Sequence, residues 1–330
     1  MRTAILELLK HNAGQYISGE EISRNLNVSR TAVWKHIRAL KQSGYDIEAH
    51  SRLGYALRQN TDRLLPAEIR AQLTSAVLGQ EIHYFSEVDS TNNEAKKLAA
   101  NGCPEGTIVV AETQAAGRGR LARGWFSPFG QGIWLSVVLR PPFGPMDAAK
   151  CTLMAAIGVN RAIGVNRAIN AVTGVDCGIK WPNDILWNNR KVVGILTEMS
   201  AEIDVINYVV IGMGINVSIE HFPSELAPIA ASLSVATGRS ISRVKLLTAI
   251  LAELENVYKL VKKSGFAPVL AAWRKESITL GRQVDVRGFD RSFSGVAIDI
   301  DADGALLVKT PQGIERVLAG DVSISPVVFR

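Results

Sequence analysis

Apolar residues recur at helical spacing at the start of the chain, where Ile5, Leu6, Leu8 and Leu9 form one stripe. Ser18-Gly19-Glu20-Glu21 then writes a capping box: the hydroxyl accepts the third amide of a helix and the acid reaches back. The helix it opens carries Ile22 and Leu26, and Asn27-Val28 turns the chain sharply. Ser29 caps a further helix whose Val33, Ile37 and Leu40 fall at i, i+4 and i+7, with Gly44 placed to end it in the left-handed conformation. Period-two alternation follows at residues 45–49 and 55–57, across a turn at Arg52-Leu53-Gly54, and reads as a hairpin. Three helices and a hairpin within residues 1–60, two of the helices joined by a tight turn, predict a winged helix-turn-helix.

Beyond a polar linker at residues 59–63, Pro66 suits the first turn of a new helix, and the pattern becomes mixed. Residues 82–85, 107–111 and 133–139 read as strands, and residues 92–100 as a helix capped by Ser90 or Thr91. Residues 244–262 carry a helical stripe (Leu247, Ile250, Leu251, Leu254, Val257, Tyr258). Short alternating strands then occupy 283–287, 294–300, 305–309 and 314–318, with Asp303-Gly304 as a hairpin turn. The whole predicts an α+β multidomain chain: a winged helix-turn-helix over 1–60, a central mixed α/β domain over 66–278, and a small β-domain over 279–330. One irregularity stands inside the central domain. Ile157-Gly-Val-Asn-Arg-Ala162 is followed by an identical copy, 163–168. Six residues advance a helix by about 240°, so Ile157, Ile163 and Ile169 point three ways, and the helix is either buried on most sides or bulges and frays.

Composition narrows the class. At 330 residues the chain exceeds one ordinary core, and 47% apolar with 21% charged is typical of a globular protein. No stretch approaches the roughly 20 uninterrupted apolar residues of a membrane span. Three cysteines at 103, 151 and 177 follow no metal-ligand spacing, so neither a metal site nor a disulfide framework is expected, and a cytoplasmic location fits. The net charge of +6 is uneven: residues 1–60 hold 9 bases against 5 acids, so +4 sits in the predicted winged helix. The helix face opposite its core offers Arg30, Thr31, Trp34, Lys35 and Arg38 beside the Ser29 cap, and the hairpin turn offers Arg52. Donors at that end of a second helix are what a major groove takes, and Arg52 suits a phosphate. The competing reading is a protein-interaction module with solvated arginines.

Three segments carry candidate chemistry. Gln114-Ala-Ala-Gly117-Arg118-Gly119-Arg120-Leu-Ala-Arg123-Gly124-Trp125 combines small residues, which let backbone close around a ligand, with three guanidinium forks suited to phosphate or carboxylate. It lacks the Gly-Lys-Ser/Thr ending of a phosphate-binding P-loop. Three cations in six residues repel one another until an anion arrives, which predicts a loop that orders over a bound phosphate compound. Composition alone leaves a merely exposed loop equally open. Lys180-Trp181-Pro182-Asn183-Asp184, between two strands, reads either as a surface lysine next to a core tryptophan or as a partly desolvated ammonium whose charge is less screened and can hold a carboxylate or phosphate. Gly212-Met-Gly214-Ile-Asn216 reads as a glycine-rich turn after a strand at 208–211.

Their order is more specific than any one of them. Asp89-Ser-Thr-Asn92, the Gly-Arg-Gly-Arg loop, Trp125-Phe-Ser-Pro128, Lys180-Trp-Pro-Asn-Asp184, Gly194-Ile-Leu and Gly212-x-Gly-Ile-Asn216 closely resemble the bifunctional biotin protein ligases, which also repress biotin operons. The resemblance covers essentially the whole chain. It implies a class II synthetase-like central domain, an SH3-like barrel at the end, and two substrates, biotin and ATP, with Mg²⁺ bridging phosphates. Biotinyl-adenylate forms first, and the acyl group then passes to a lysine of biotin carboxyl carrier protein, an acetyl-CoA carboxylase subunit. It implies that Ser90, Thr91, Asn92 and Gln114 border biotin, and that Arg118, Gly119 and Arg120 wrap biotin and the adenylate phosphate. Trp125 then lies near adenine, Lys180 contacts the ligand, and Asn216 borders the nucleotide. Lys180, Arg118 and Arg120 are the expected catalytic residues. Operator DNA and a homodimer of the biotinyl-adenylate form are the other implied partners, and no membrane. A catalytically inactive biotin-sensing repressor and a lipoate-type ligase remain the alternatives at this stage.

Overall fold

The computed structural model describes residues 1–58, 62–164, 173–288, 292–318 and 320–324. The chain forms two compact units, Met1–Leu65 and Pro66–Arg330. No helix among the described residues is long and apolar enough to cross a membrane.

In the first unit, α1 (Arg2–His11), α2 (Gly19–Leu26) and α3 (Arg30–Gln42) precede a hairpin of β1 (Ile47–His50) and β2 (Gly54–Leu57). Both predicted caps form: Ser18 Oγ accepts the Glu21 amide at 3.0 Å, and Ser29 Oγ the Ala32 amide at 3.2 Å. Asn27 takes the left-handed conformation that a short polar side chain tolerates, and so makes the turn between α2 and α3. Ile5, Leu9, Ile22, Val33, Ile37 and Leu40 are buried together, as their spacing requires.

The second unit begins with α4 (Pro66–Gln72), β3 (Ile82–Phe85), α5 (Thr91–Ala100), β4 (Ile108–Ala111) and β5 (Gly132–Leu139). It continues through α6 (Lys150–Ile163), β6 (Gly178–Lys180), β7 (Asp184–Trp187), β8 (Arg190–Ala201) and β9 (Ile206–Asn216). Helices α7 (Leu233–Thr237), α8 (Arg243–Ser264) and α9 (Ala267–Glu276) follow. The seven strands make one mixed sheet in the order β3-β4-β5-β9-β8-β7-β6, parallel only between β3 and β4. Strand β4 and most of β5 and β9 are apolar on both faces, and α5 covers part of one: Val109, Val138 and Val210 pack under Ala95 and Ala99. The buried Glu255 of α8 binds the amides of Ala76, Val77 and Leu78, tying the loop after α4 to that helix.

The chain ends in β10 (Gln283–Arg287), β11 (Ser292–Ile300), β12 (Leu306–Thr310), β13 (Gly313–Val317) and β14 (Asp321–Ile324), an antiparallel sheet ordered β13-β12-β11-β10-β14. Strand β14 carries no alternation long enough to read from sequence.

Two sequence expectations meet the structure here. The stretch 212–216 is no turn: β9 runs straight through to Asn216, paired on both sides. Its glycines imitate a turn signal but serve close approach instead. The duplicated helix is buried on most sides, with Ile157 and Ile163 fully enclosed, and it stops at Ile163, whose carbonyl accepts the Thr173 hydroxyl at 2.7 Å. Ile169 and most of the second copy lie outside the described residues.

Candidate active site and DNA-facing helix

Side chains on neighbouring antiparallel strands that stand opposite each other share a face. The register of β5, β9 and β8 therefore builds three rungs on one face of the sheet: Trp134–Gly214–Gly194, Ser136–Gly212–Leu196 and Val138–Val210–Glu198. Above the first rung lies the Trp125 indole. A Cβ at Gly194 would meet its ring at 2.5 Å and one at Gly214 its Nε1 at 2.4 Å, so these glycines are the bed on which a flat ring rests. Above the second rung lies Asn92, whose Oδ1 would be 2.2 Å from a Cβ at Gly212. Asn92 is at the N-terminus of α5, held by Leu196 O, Glu198 and Ser136. Gln114 Oε1 accepts the Thr91 amide at 2.9 Å, and its Nε2 donates to Ser127 Oγ at 3.0 Å. Ser90, Thr91, Asn92 and Gln114 thus form one polar wall of a cavity lined also by Arg118, Gly119, Arg120, Trp125 and Asn216.

The cationic side of that cavity comes from two places. Arg118 is exposed and pairs with Asn93 on α5. Arg120 donates to Asn183 Oδ1 at 3.2 Å and to the Gly320 carbonyl at 3.0 Å, and Arg123 pairs with Asp321. The loop therefore leans on the C-terminal β-domain. Burial lowers the Arg120 pKa, while Asp184 and Asp321 oppose the shift. Lys191 at the start of β8 lies 2.7 Å from Asp184 Oδ1 and 5.2 Å from the Trp125 ring centre, so its ammonium sits between a carboxylate and an aromatic face.

Lys180 takes a different position from the other expected contacts. It ends β6 directly opposite Asp184, with Nζ 4.0 Å from Asp184 Oδ2, and it is not among the residues lining the cavity. Burial lowers its pKa, with Asp184 pulling the other way. The neighbouring Trp181 explains the burial: its indole donates to the Gly304 carbonyl at 3.0 Å, inside the contact between central and C-terminal domains. Asn216 is buried at the end of β9, its amide donating to Lys191 O and Ala231 O, so it ties the strand to the segment after it.

Sequence reading passed over Lys191, Asp184 and Asp321 as lining residues, along with Ser136 and Glu198 behind the wall. Lys191 follows Arg190 in an ordinary charged hairpin, and only strand pairing brings it to the indole. Among the described residues, no cluster of three or more His, Cys, Asp or Glu is placed to hold a metal ion.

In the first unit, Ser29 caps α3, and Arg30, Thr31, Trp34, Lys35 and Arg38 are all exposed along its outer face. The Arg38 guanidinium lies 5.6 Å over the Trp34 ring, and Trp34 remains 54% exposed, too open for a core residue. Arg52 is exposed at the tip of the hairpin, where His50 Nδ1 accepts the amides of Arg52 and Leu53 at 3.2 Å each. The helix face and the hairpin tip together give a cationic, partly aromatic surface of the kind that meets a groove and its phosphates.

Comparison with known proteins identifies the family. Residues 84–216 match the model of the biotin/lipoate A/B protein ligase family, residues 2–56 an HTH domain, and residues 279–325 the biotin protein ligase C-terminal domain. The chain is 42% identical to the bifunctional ligase/repressor BirA of Bacillus spizizenii over 98% of both proteins. It is 31% identical to the protein of that name from Escherichia coli over 94% of both. Among solved structures, the biotin protein ligase of Aquifex aeolicus in complex with biotin and ATP superposes with a TM-score of 0.65 at 28% identity, covering 74% of this chain and 99% of that one.

Proposed function

Because this chain belongs to the bifunctional biotin protein ligase/repressor family, we propose that its cavity joins biotin to ATP, gives the acyl group to a carrier lysine, and reports the adenylate to DNA. The observation that carries the reading is one cavity bounded by the Ser90–Asn92 and Gln114 wall, the Arg118–Arg123 loop and the Trp125 indole. In the first step a biotin carboxylate oxygen attacks the α-phosphorus of ATP, an acyl–phosphate bond forms, and pyrophosphate leaves. Two anions must meet, so the protein's contribution is neutralisation and alignment rather than a nucleophile of its own. Arg118 and Arg120 are the groups we assign to the acyl phosphate, with Lys191 and Lys180 flanking Asp184 at the opposite side. In the second step the carrier lysine's amine attacks the acyl carbon, an amide forms, and AMP leaves. A closed arginine loop keeps water from the mixed anhydride in the interval.

Mg²⁺ would arrive on the nucleotide phosphates, and the carboxylates facing the cavity, Asp184 and Asp321, are few enough to suit an ion held mainly by phosphate and water. The carrier we assign is biotin carboxyl carrier protein, and the DNA partner is an operator read by Arg30, Thr31, Trp34, Lys35 and Arg38 with Arg52 on phosphate. A homodimer of the adenylate-bound form would place two winged helices on two half-sites. Pairing two modest contacts gives the affinity a single head lacks.

The deciding experiment is ATP–pyrophosphate exchange with biotin or lipoate as the acid. Exchange that depends on biotin and is not supported by lipoate is the expected result. No exchange, with biotin still bound, would make the protein a sensor alone. Sedimentation of the biotin-, adenylate- and ligand-free forms tests the dimer: the adenylate form should be the most associated.

A further inference from the structure

The polar wall of the cavity is wired to a carboxylate outside it, and we propose that Glu198 is a positioning residue whose negative charge decides which wall groups can accept hydrogen bonds from the cyclic urea of biotin. The inference rests on the ligase reading above.

The argument is a count of protons. An ionised carboxylate offers acceptors only, and an amide offers donors at one end and an acceptor at the other. Glu198 Oε2 lies 2.8 Å from Asn92 Nδ2, and the Leu196 carbonyl oxygen lies 3.3 Å from the same nitrogen. Two acceptors on one side fix the amide, so Asn92 Oδ1 must face Ser136 Oγ, 2.6 Å away. Ser136 is fully buried and has one proton, which goes to Oδ1. Thr91 Oγ1, 2.8 Å from Ser136 Oγ, must then donate to Ser136. That leaves nothing for the 3.1 Å contact between the Thr91 hydroxyl and Gln114 Oε1, which already accepts the Thr91 amide at 2.9 Å. Thr91 Oγ1 and Gln114 Oε1 each keep a lone pair for a donor entering the cavity. A cyclic urea brings two N–H donors; a dithiolane ring brings none.

A neutral amide at 198 weakens the constraint, since it can donate to Asn92 and only the longer 3.3 Å Leu196 contact then opposes a turned amide. In the turned state the chain reverses to run from Asn92 through Ser136 and Thr91 to Gln114, filling the last lone pair of Gln114 Oε1 and one of the two on Thr91 Oγ1. Lys96 keeps the carboxyl charged: its Nζ is 2.6 Å from Glu198 Oε1. Burial pushes the Glu198 pKa up, but the hydrogen bonds from Lys96 and Asn92 outweigh it and hold the group below the ordinary glutamate value.

The test is calorimetric titration of biotin into the full chain, with KM for ATP from the exchange assay. Glu198→Gln should weaken biotin about tenfold, the worth of one good hydrogen bond, with KM for ATP within about twofold. Adding Asn92→Asp to that variant restores an acceptor-only group facing Ser136, and biotin affinity should recover most of the loss. A role in packing alone predicts the double variant to be worse than either single one. Lys96→Met removes a hydrogen bond that holds the carboxyl charged, so biotin affinity should fall, but by no more than in Glu198→Gln. An unchanged affinity in Glu198→Gln, no recovery in the double variant, or a Lys96→Met loss larger than that of Glu198→Gln overturns the proposal. If Glu198→Gln proves unstable, Asn92→Asp alone sets two carboxylates face to face and should bind biotin less well than the double variant. Equal binding would count against us. A parent chain that binds biotin but exchanges no pyrophosphate refutes the ligase reading while leaving this comparison intact.

Discussion

The three arginines of the cationic loop, which repel one another in the extended chain, have each found a separate acceptor: Asn93 for Arg118, Asn183 and Gly320 for Arg120, and Asp321 for Arg123. Arg118 has only a neutral partner and stays exposed, so it is the one freest to exchange its contact for a phosphate. Arg118→Gly should release biotinyl-adenylate at least tenfold faster, roughly the worth of one charge-assisted hydrogen bond; stopped-flow dissociation measures it, and an unchanged rate would take Arg118 off the ligand. Lys180 invites a test in pH. Burial lowers its folded pKa below the unfolded value of 10.5, so the unfolded chain holds the proton more readily. Stability contributed by this group therefore rises with pH between the two values, while affinity for anionic nucleotide falls as pH climbs through the folded one. The alkaline limb of 1/KM for ATP should accordingly lie below 10.5 and move in Lys180→Met, which should also slow adenylate formation. The slope has the same sign for Glu255 but the opposite cause, because here the surroundings favour the charged form. Burial alone would raise its pKa, but Lys259 and the amides of Leu78, Val77 and Ala76 hold it at about 2. Its contribution is complete above about 4.5, is lost as pH falls toward 2, and Glu255→Gln should cost on the order of 2 kcal/mol in denaturant unfolding at neutral pH.

At the scale of elements, the sheet turns glycines into a binding surface. Gly194 and Gly214 stand opposite each other in β8 and β9, and no side chain fits there beneath Trp125. Gly214→Ala should lift the indole and raise KM for ATP at least tenfold, with biotin affinity less affected because the Asn92 rung is one step along; equal losses for both ligands would mean that the strand, rather than the indole, had moved. The contrast shows what sequence could carry. Local signals sufficed for the winged helix: the Ser18 and Ser29 caps, the Asn27 turn and the Val33–Ile37–Leu40 stripe all involve neighbours within a few residues. They failed at 212–216, where glycine means close approach rather than reversal, a distinction that depends on Trp125 and Asn92 about 90 and 120 residues away. Lys191 and Glu198 were illegible for the same reason: only the β5-β9-β8 register sets them beside the cavity and its wall. The duplication gives another test at this scale. Because the copies are identical, deleting 163–168 puts Ile169 in the place of Ile163, and α6 keeps its residues Lys150–Ile163 unchanged in kind. The Thr173 hydroxyl already closes on the Ile163 carbonyl, so a link shorter by six residues still spans the gap. Melting temperature should stay within about 2 °C, since the entropy of closing a connection changes slowly with its length; a larger fall would show that the second copy packs.

Across the whole second unit, the C-terminal domain holds both sides of the chemistry. Trp181 Nε1 donates to Gly304 O beneath Lys180, while Gly320 O and Asp321 hold Arg120 and Arg123. The C-terminal domain thus restrains the arginine loop, and on the proposed reading the phosphate of an adenylate would compete with the Gly320 carbonyl for Arg120 while Asp321 holds the neighbouring Arg123. The Arg123–Asp321 pair is largely solvent-exposed on the arginine side, so its weight in global stability is small. Its weight in the loop's local equilibrium is the larger matter, because few other contacts oppose opening there. Asp321→Ala should therefore leave the melting temperature near that of the parent while trypsin cuts after Arg118, Arg120 or Arg123 several-fold faster in the ligand-free protein. With adenylate bound, the guanidinium groups are taken up by the ligand and the two proteins should be cut at the same slow rate. Cleavage that is already equal without ligand would mean that the aspartate does not hold the loop, and the link between the terminal domain and the arginines would be only a contact.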